Sequence, residues 1–163
     1  MGCDIHLYIE HKEPAITTWA GFGGRINPGR YYGLFAKLAG VRNYDEIKPV
    51  AEPRGMPDDA SWIADADNRL YITDSEGEGY ASPENAALWV QEGNSKYIDN
   101  EAEAGKHVWV THPDWHSHSW LTPDEYSEAI SGTSGSGWLA ILACLRSFES
   151  QGEKARVVFW FDN

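Results

Sequence analysis

Strand patterns at the two ends of this 163-residue chain constrain its fold more than any other feature. Near the N-terminus, Ile5, Leu7 and Ile9 alternate with polar side chains, which is the period-two pattern of a strand with one buried face. Residues 157–161 are apolar at every position, a pattern typical of a strand that is buried on both faces. We therefore predict an α+β fold in which a mixed β-sheet contains both terminal strands and about four helices cover it.

Helix signals occupy much of the region between these strands. Residues 31–39 show a helical pattern that ends at a glycine, and residues 122–125 combine a threonine cap, a first-turn proline and a glutamate three residues after the cap. Further helices are predicted over residues 82–92 and 138–150. The stretch 42–68 contains three prolines and is predicted to be irregular.

The composition limits the class of protein. Hydrophobic residues make up 42% and aromatic residues 13% of the chain, which argues against disorder and predicts one domain over residues 1–163. Acidic residues outnumber basic ones by 25 to 13, and the net charge of −12 argues against non-specific binding to nucleic acid and against docking on anionic membranes. A small phosphorylated partner stays open, because a few local arginines or a metal ion can override the global charge.

The cellular setting follows from what the sequence lacks. No apolar run approaches the roughly 20 residues of a membrane span, and the first residues do not resemble a secretory signal. Cys3 and Cys144 are the only cysteines, so a disulfide framework is not expected and a reduced compartment fits better. We expect a cytoplasmic protein, and the oligomeric state does not follow from these features.

The densest cluster of chemical groups is the histidine-rich run at residues 112–118. If this run is extended, His112, Asp114, His116 and His118 point to one side, because side chains alternate across a strand. Imidazole and carboxylate ligands at this spacing suit Zn, Mn or Fe. The alternative interpretation is a polar loop whose histidines bond to the backbone.

A second group, Asp4 and His6, lies two residues apart on the polar face of the first predicted strand. Together with His116 and His118 it could complete a coordination shell for a divalent metal ion, so these four residues are the predicted metal ligands. A hydrogen-bonded aspartate–histidine pair in a partly buried strand is an equally good explanation of the same pattern.

Arginines in the irregular segment form the third group. Arg42 and Arg54 present planar guanidinium groups suited to phosphate, and both are predicted catalytic residues. Asn43, Tyr44 and Trp120 are predicted to bind the ligand, with Tyr44 able to stack on a base. The alternative is that these arginines pair with surface carboxylates.

The Ser/Gly-rich residues 131–137 precede a predicted helix, as a phosphate-binding loop would. They contain no lysine, and a flexible connector is the simpler interpretation.

Three sequence motifs carry a resemblance to known proteins. The opening MGCDIH, the run HSHSWLT at residues 116–122 and the ending RVVFWFDN at residues 156–163 resemble a family of bacteriophage and bacterial proteins to which no activity is attached. The resemblance implies a phage-associated context, in which small accessory proteins often counter host defence or modify nucleotides.

These patterns lead to one leading hypothesis and two alternatives. The leading hypothesis is a metal-dependent hydrolase acting on a phosphoester or nucleotide, in which the metal activates water and an arginine offsets charge in the transition state. The first alternative is a non-catalytic protein that sequesters a nucleotide signal. The second is an acidic interaction protein that blocks a basic partner.

Overall fold

The computed structural model describes residues 2–69, 71–73, 88, 96–98, 111–112 and 114–162. Residues 1–64 and 116–163 belong to one compact unit, and residues 65–115 belong to a second. The single domain expected from the chain length stays a prediction.

The described residues form six strands and four helices. The strands are β1 (Asp4–Lys12), β2 (Ala20–Gly21), β3 (Tyr71–Thr73), β4 (Lys96–Ile98), β5 (His116–Leu121) and β6 (Lys154–Asp162). The helices are α1 (Tyr32–Ala39), α2 (Trp62–Asp67), α3 (Pro123–Ala129) and α4 (Ser136–Ser150). This content confirms the predicted α+β class.

The sheet of the first unit has the strand order β2-β1-β6-β5. Strands β1 and β6 pair along their whole length, from Asp4 opposite Asp162 to Lys12 opposite Lys154. The prediction that both terminal strands share one sheet is therefore confirmed. The sheet was predicted to be mixed, but all its pairings are antiparallel, since β2 and β6 run against β1 and β5 runs against β6.

One face of this sheet forms the hydrophobic core. The predicted apolar residues of β1 are buried there with Val157, Phe159 and Phe161 of β6. Helices α1, α3 and α4 contribute the other large buried side chains, among them Leu34, Phe35, Leu38, Tyr126, Ile141 and Leu145. Burial of this apolar surface is the main force that holds the helices on the sheet.

The helix boundaries follow local signals in the sequence. At α3, the Thr122 hydroxyl accepts from the Glu125 N–H and a Glu125 oxygen accepts from the Thr122 N–H, which confirms the predicted capping box. Helix α1 ends at Gly40 in the left-handed conformation, as predicted. Helix α4 begins two residues before the predicted start at residue 138.

Helix α2 corrects the expectation that residues 42–68 are irregular throughout. It begins just after Ser61, whose hydroxyl accepts from the Ala64 N–H at 3.4 Å. This cap lies four residues beyond Pro57, the last proline of the stretch, so the helix begins where no further proline interrupts it. The helix predicted over residues 82–92 lies outside the described part of the chain, apart from Leu88.

The other face of the sheet is polar and aromatic, yet much of it is buried. Trp160, in the central strand β6, stacks on Tyr8 of β1 with ring centroids 5.1 Å apart. Farther along the same strands, the Arg156 Nε donates to a Glu10 oxygen at 2.6 Å, and the two side chains are only 6% and 0% exposed. Buried charges persist only when they are paired in this way.

In the second unit, β3 and β4 form an antiparallel pair. Nearby in sequence, the Asp114 N–H donates to the His112 Nδ1 at 3.0 Å, and the His112 ring stacks on Trp115. Over the described part of the chain, the helices are too short or too polar to cross a bilayer.

Candidate functional site

The predicted Asp4 and His6 lie where β1 begins and β6 ends, and Asp162 joins them there. One Asp162 oxygen accepts from the Asp4 backbone N–H at 3.0 Å, and the other lies 2.8 Å from the His6 Nε2. His6 therefore belongs to a hydrogen-bonded aspartate–histidine pair, but its partner is Asp162 and not the sequence neighbour Asp4. Asp162 also ties the first residue of β1 to the end of β6.

The guanidinium of Arg30 forms an ion pair with the carboxylate of Asp4. Its Nε and Nη2 donate to the two oxygens of Asp4 at 2.5 and 2.6 Å, and this pair of bonds holds the pKa of Asp4 below its usual value. A side chain at Gly2 would overlap the Arg30 guanidinium, so the glycine leaves room for it. Sequence reasoning missed Arg30. The available signal was the Asn27-Pro28-Gly29 turn, in which the Gly29 N–H donates to Asn27 Oδ1.

The two histidines on the polar face of the sheet flank one tryptophan. His6 of β1 and His118 of β5 stack on Trp160 with centroid distances of 5.4 and 5.6 Å. Because β6 lies between β1 and β5, Trp160 separates the two imidazole rings. Burial, with further contributions from His116 and His6, lowers the pKa of His118 to about 4. Burial also lowers the pKa of His6, against the opposing effect of Asp162.

A β-bulge places His116 and His118 on opposite faces of the sheet. His116 pairs with Phe161 and Ser119 pairs with Phe159, so β5 uses one residue more than β6 over this interval. The extra residue is accommodated at Ser117, which has a φ of 53°. The His116 ring stacks on Phe161, on the core side, whereas His118 stacks on Trp160. The expectation that the two histidines share a face was therefore wrong, because it assumed an unbroken strand.

The four predicted metal ligands accordingly have separate surroundings. Both oxygens of Asp4 accept from Arg30, and the His6 Nε2 contacts Asp162. The His116 Nδ1 lies 3.0 Å from the Ser117 hydroxyl. Within the described ranges, no three His, Cys, Asp or Glu side chains are arranged to hold a metal ion. The divalent metal site stays a prediction.

Arg54, predicted to be catalytic, is bound within the fold. Its guanidinium donates to both oxygens of Glu125 and to the Trp120 carbonyl, and it lies 4.5 Å from the centre of the Trp120 ring. The hydrogen bonds from Arg54 are the main cause that lowers the pKa of Glu125 to about 2. In this arrangement Arg54 and Trp120 link the β5 end to the start of α3.

The other predicted arginine, Arg42, lies just after α1. Its guanidinium interacts with the Cys3 thiol and with Tyr44. Burial raises the pKa of the Cys3 thiol, and the contact with Arg42 opposes this effect. The Asn43 side-chain amide bonds to both backbone groups of Ile47 and fixes the loop, while Tyr44 is 74% exposed.

A groove that sequence reasoning missed lies between residues 28–31 and 132–138. Its volume is about 390 Å³, and Arg30 contributes to one wall. The opposite wall holds the hydroxyl-bearing Thr133, Ser134 and Ser136 and the first turn of α4. This turn has neither a side-chain cap nor an acidic residue. Residues 131–137 contain no lysine, and for this reason they were predicted to be a flexible connector and not a phosphate-binding loop. In the structure, Arg30 from another part of the chain places a positive charge beside them.

A smaller hollow of about 140 Å³ adjoins this groove. The groove and the hollow share Tyr31, Gly132 and Thr133 as lining residues. The hollow is otherwise lined by Gly33, Leu34, Lys37, Ile47 and Ser131. The Lys37 ammonium donates to the Ser131 carbonyl at 3.1 Å. The larger groove is thus polar with one arginine, and the smaller hollow combines an aromatic ring, aliphatic side chains and one lysine.

Comparison of the chain with known protein families, with curated proteins and with solved structures finds no match. Inference about its function therefore rests on the geometry of its own residues.

Proposed function

We propose that this protein binds a small phosphorylated molecule, with the phosphate in the groove between residues 28–31 and 132–138. The observation that carries the proposal is the groove itself, in which Arg30 and the first turn of α4 line one cavity of about 390 Å³. This volume is within the range of small-molecule sites in proteins, which is roughly 300–1,000 Å³.

The first turn of α4 favours an anion. The opening N–H groups of a helix have no partner within the helix, and the aligned peptide dipoles place partial positive charge at this end. In a chain with a net charge of −12, the first turn of α4 contains no acidic residue, although the first turn of α3 contains both Asp124 and Glu125. The groove is therefore locally suited to an anion even though the whole chain is acidic.

Arg30 supplies the full positive charge. Its side chain is 55% exposed, and its two bonds to Asp4 use the Nε and one terminal nitrogen. The other terminal nitrogen, Nη1, lies close to Gly2, and the positive charge delocalised over the whole guanidinium would attract a phosphate in the groove that Arg30 lines. Hydroxyl groups of Thr133, Ser134 and Ser136 line the same groove and can donate to further oxygens.

The binding proposal is tested by a 31P NMR titration of the full chain with inorganic phosphate and with pyrophosphate. We expect saturable binding that weakens roughly tenfold in Arg30→Gln, since a charge-assisted hydrogen bond contributes about 1.5–3 kcal/mol. Arg146→Gln is the matched control, because Arg146 is an exposed arginine of α4 that pairs with Asp124 and Glu149. Equal affinity in the two variants, or no saturable binding to the parent protein, would contradict the proposal.

Loss of Arg30 also leaves Asp4 without its partner, so folding has to be separated from binding. Arg30→Lys keeps the charge and loses the two-pronged geometry, and we expect it to bind phosphate more weakly than the parent but more tightly than Arg30→Gln. Thermal unfolding of all three proteins shows whether the fold is retained. An order of affinities that follows unfolding temperature rather than charge would count against a direct role of Arg30.

A metal-dependent phosphoesterase is our second proposal, and the Asp162–His6 pair is the observation that favours it. A carboxylate bonded to one imidazole nitrogen is the arrangement that orients histidines as general bases or as metal ligands. Burial lowers the pKa of His6, which favours the neutral imidazole that either role requires. The residues of this proposal are Asp4, His6 and Asp162, with Arg30 linking them to the groove.

Incubation with phosphoesters separates the two proposals. With Zn, Mn or Fe supplied, an enzyme returns product and a binding protein returns the ligand intact. Turnover that is lost in His6→Gln and in Asp162→Asn, while phosphate binding is retained, would favour the enzyme. We also propose a cytoplasmic location and a phage-associated context for this protein. A third possibility, an acidic protein that blocks a basic partner, stays an untested alternative.

A further inference from the structure

We infer that the phosphorylated ligand is a nucleotide whose base occupies the hollow beside Tyr31. This inference rests on the proposed phosphate site and adds the class of ligand. It starts from the continuity of the two cavities, which share Tyr31, Gly132 and Thr133. A molecule that fills both must carry an anionic group at one end and a group suited to the hollow at the other.

The lining of the hollow defines that second group. Tyr31 leaves 57% of its surface exposed, whereas Leu34 beside it is buried in the core. An exposed ring in a hollow that Leu34 and Ile47 also line is a surface for stacking, and every nucleobase has a face that stacks on an aromatic side chain. The hollow, at about 140 Å³, is large enough for a flat ring and too small for a folded peptide segment.

Polar groups in the hollow also match a base. Lys37 places an ammonium group on one wall, where it bonds to the Ser131 carbonyl. An ammonium group has three donors, so it can bond to a ring nitrogen or an exocyclic oxygen while it keeps this bond. A bare sugar has no aromatic face to stack on Tyr31, so it would gain less from this lining.

The order of residues matches the order of groups in a nucleotide. Arg30 lines only the larger groove, Tyr31 lines both cavities, and Lys37 lines only the hollow. In a nucleoside monophosphate the sugar separates the phosphate from the base, so a phosphate beside Arg30 would leave the base in the hollow, between Tyr31 and Lys37. The ligand would therefore extend from Arg30 past Tyr31 to Lys37.

The test compares four ligands on the full chain by isothermal titration calorimetry: inorganic phosphate, ribose 5-phosphate, adenosine monophosphate and uridine monophosphate. We expect both nucleotides to bind roughly tenfold more tightly than ribose 5-phosphate, which is the effect of one base stacked on an aromatic ring. Tyr31→Ala should remove this difference between the nucleotides and ribose 5-phosphate, and the ratio of their affinities is the readout because Tyr31 also lines the phosphate groove. Tyr31→Phe should retain the difference, because stacking does not need the hydroxyl group.

The variants are expected to fold, because α1 uses the backbone carbonyl of Tyr31 and not its side chain as the cap. Tyr44→Ala is the comparison variant: Tyr44 was also predicted from the sequence to stack on a base, but it is an exposed tyrosine outside both cavities, so its loss should leave the preference for nucleotides unchanged. Equal affinities for ribose 5-phosphate and the nucleotides would overturn the nucleotide inference and leave the phosphate site standing. No binding of any of the four ligands would instead overturn the proposed function.

Discussion

The Asp4–Asp162 edge and the groove beside Arg30 both collect polar groups, but they use them differently. At the edge, Asp4 bonds to Arg30, and Asp162 bonds to the Asp4 backbone and to His6. In the groove, the hydroxyl groups and the first turn of α4 face an open cavity of about 390 Å³. The edge therefore contributes to the connection between β1 and β6, and the groove offers donors to a ligand. A dense cluster of catalytic residue types is not by itself an available site.

The largest expected effect is a loss of folding stability when the buried ion pair on the polar face of the sheet is broken. Arg156→Met leaves the fully buried Glu10 carboxylate without its arginine partner, and we expect a loss of about 3–5 kcal/mol in the free energy of unfolding. Urea unfolding provides the measurement. Arg146→Met, an exposed paired arginine, should change stability by less than about 0.5 kcal/mol. A small effect at Arg156 would show that this face tolerates an unpaired charge and is less closed than the contacts indicate.

The next effect is a loss of stability in acid. Folding lowers the pKa of His118 from 6.5 to about 4, so the folded protein binds a proton at this ring less readily than the unfolded chain does. The free energy of unfolding is therefore unaffected by this group above pH 6.5 and decreases as the pH falls from 6.5 to about 4. We expect a loss on the order of 2 kcal/mol, discounted for the partial exposure of the ring. His118→Gln should flatten this part of the pH profile of unfolding. An unchanged profile in the variant would assign the acid sensitivity to other groups.

A smaller effect is expected where Arg54 meets Glu125. Arg54→Met removes the bonds that hold the pKa of Glu125 at about 2, and this pKa should rise towards 4.5. Because a lowered carboxyl pKa stabilises the folded state above the unfolded pKa, the variant should lose about 1 kcal/mol at neutral pH. NMR titration of Glu125 measures the pKa directly. Weaker phosphate binding in this variant would indicate that Arg54 takes part in binding the ligand.

The smallest expected effect is on phosphate affinity, and it concerns Arg30, which bonds to Asp4 at the edge and also lines the groove. Asp4 and a bound phosphate share the Arg30 guanidinium, so we expect Asp4→Asn to bind phosphate a few-fold more tightly, as a competing carboxylate is removed. The gain should disappear in an Arg30→Gln background. Weaker binding in Asp4→Asn would mean that Asp4 positions Arg30 for the ligand instead of competing with it.

Much of the fold could be predicted from the sequence because its signals are local. Alternation at Ile5, Leu7 and Ile9 and the apolar run at 157–161 identified the terminal strands. The capping pattern at residues 122–125 identified the start of α3. Each of these signals acts over a few residues, so a short stretch of chain carries it completely.

The candidate site could be predicted only in part because its contacts are distant in sequence. Asp4 and His6 drew attention as a pair, but their partners, Arg30 and Asp162, are separated from them by 26 and 156 positions. The bulge at Ser117 depends on pairing with β6, and it changes which face His116 occupies. The groove likewise needs Arg30 and α4 to meet across about a hundred residues.

The sequence by itself determined the strand and helix segments, the acidic charge and the types of group available for chemistry. The tertiary structure decided which of those groups are occupied by one another and which face a cavity. The physical reason is that periodicity and capping are short-range properties of the chain, whereas hydrogen-bond partners and cavities are set by the register of the sheet and the packing of helices on it.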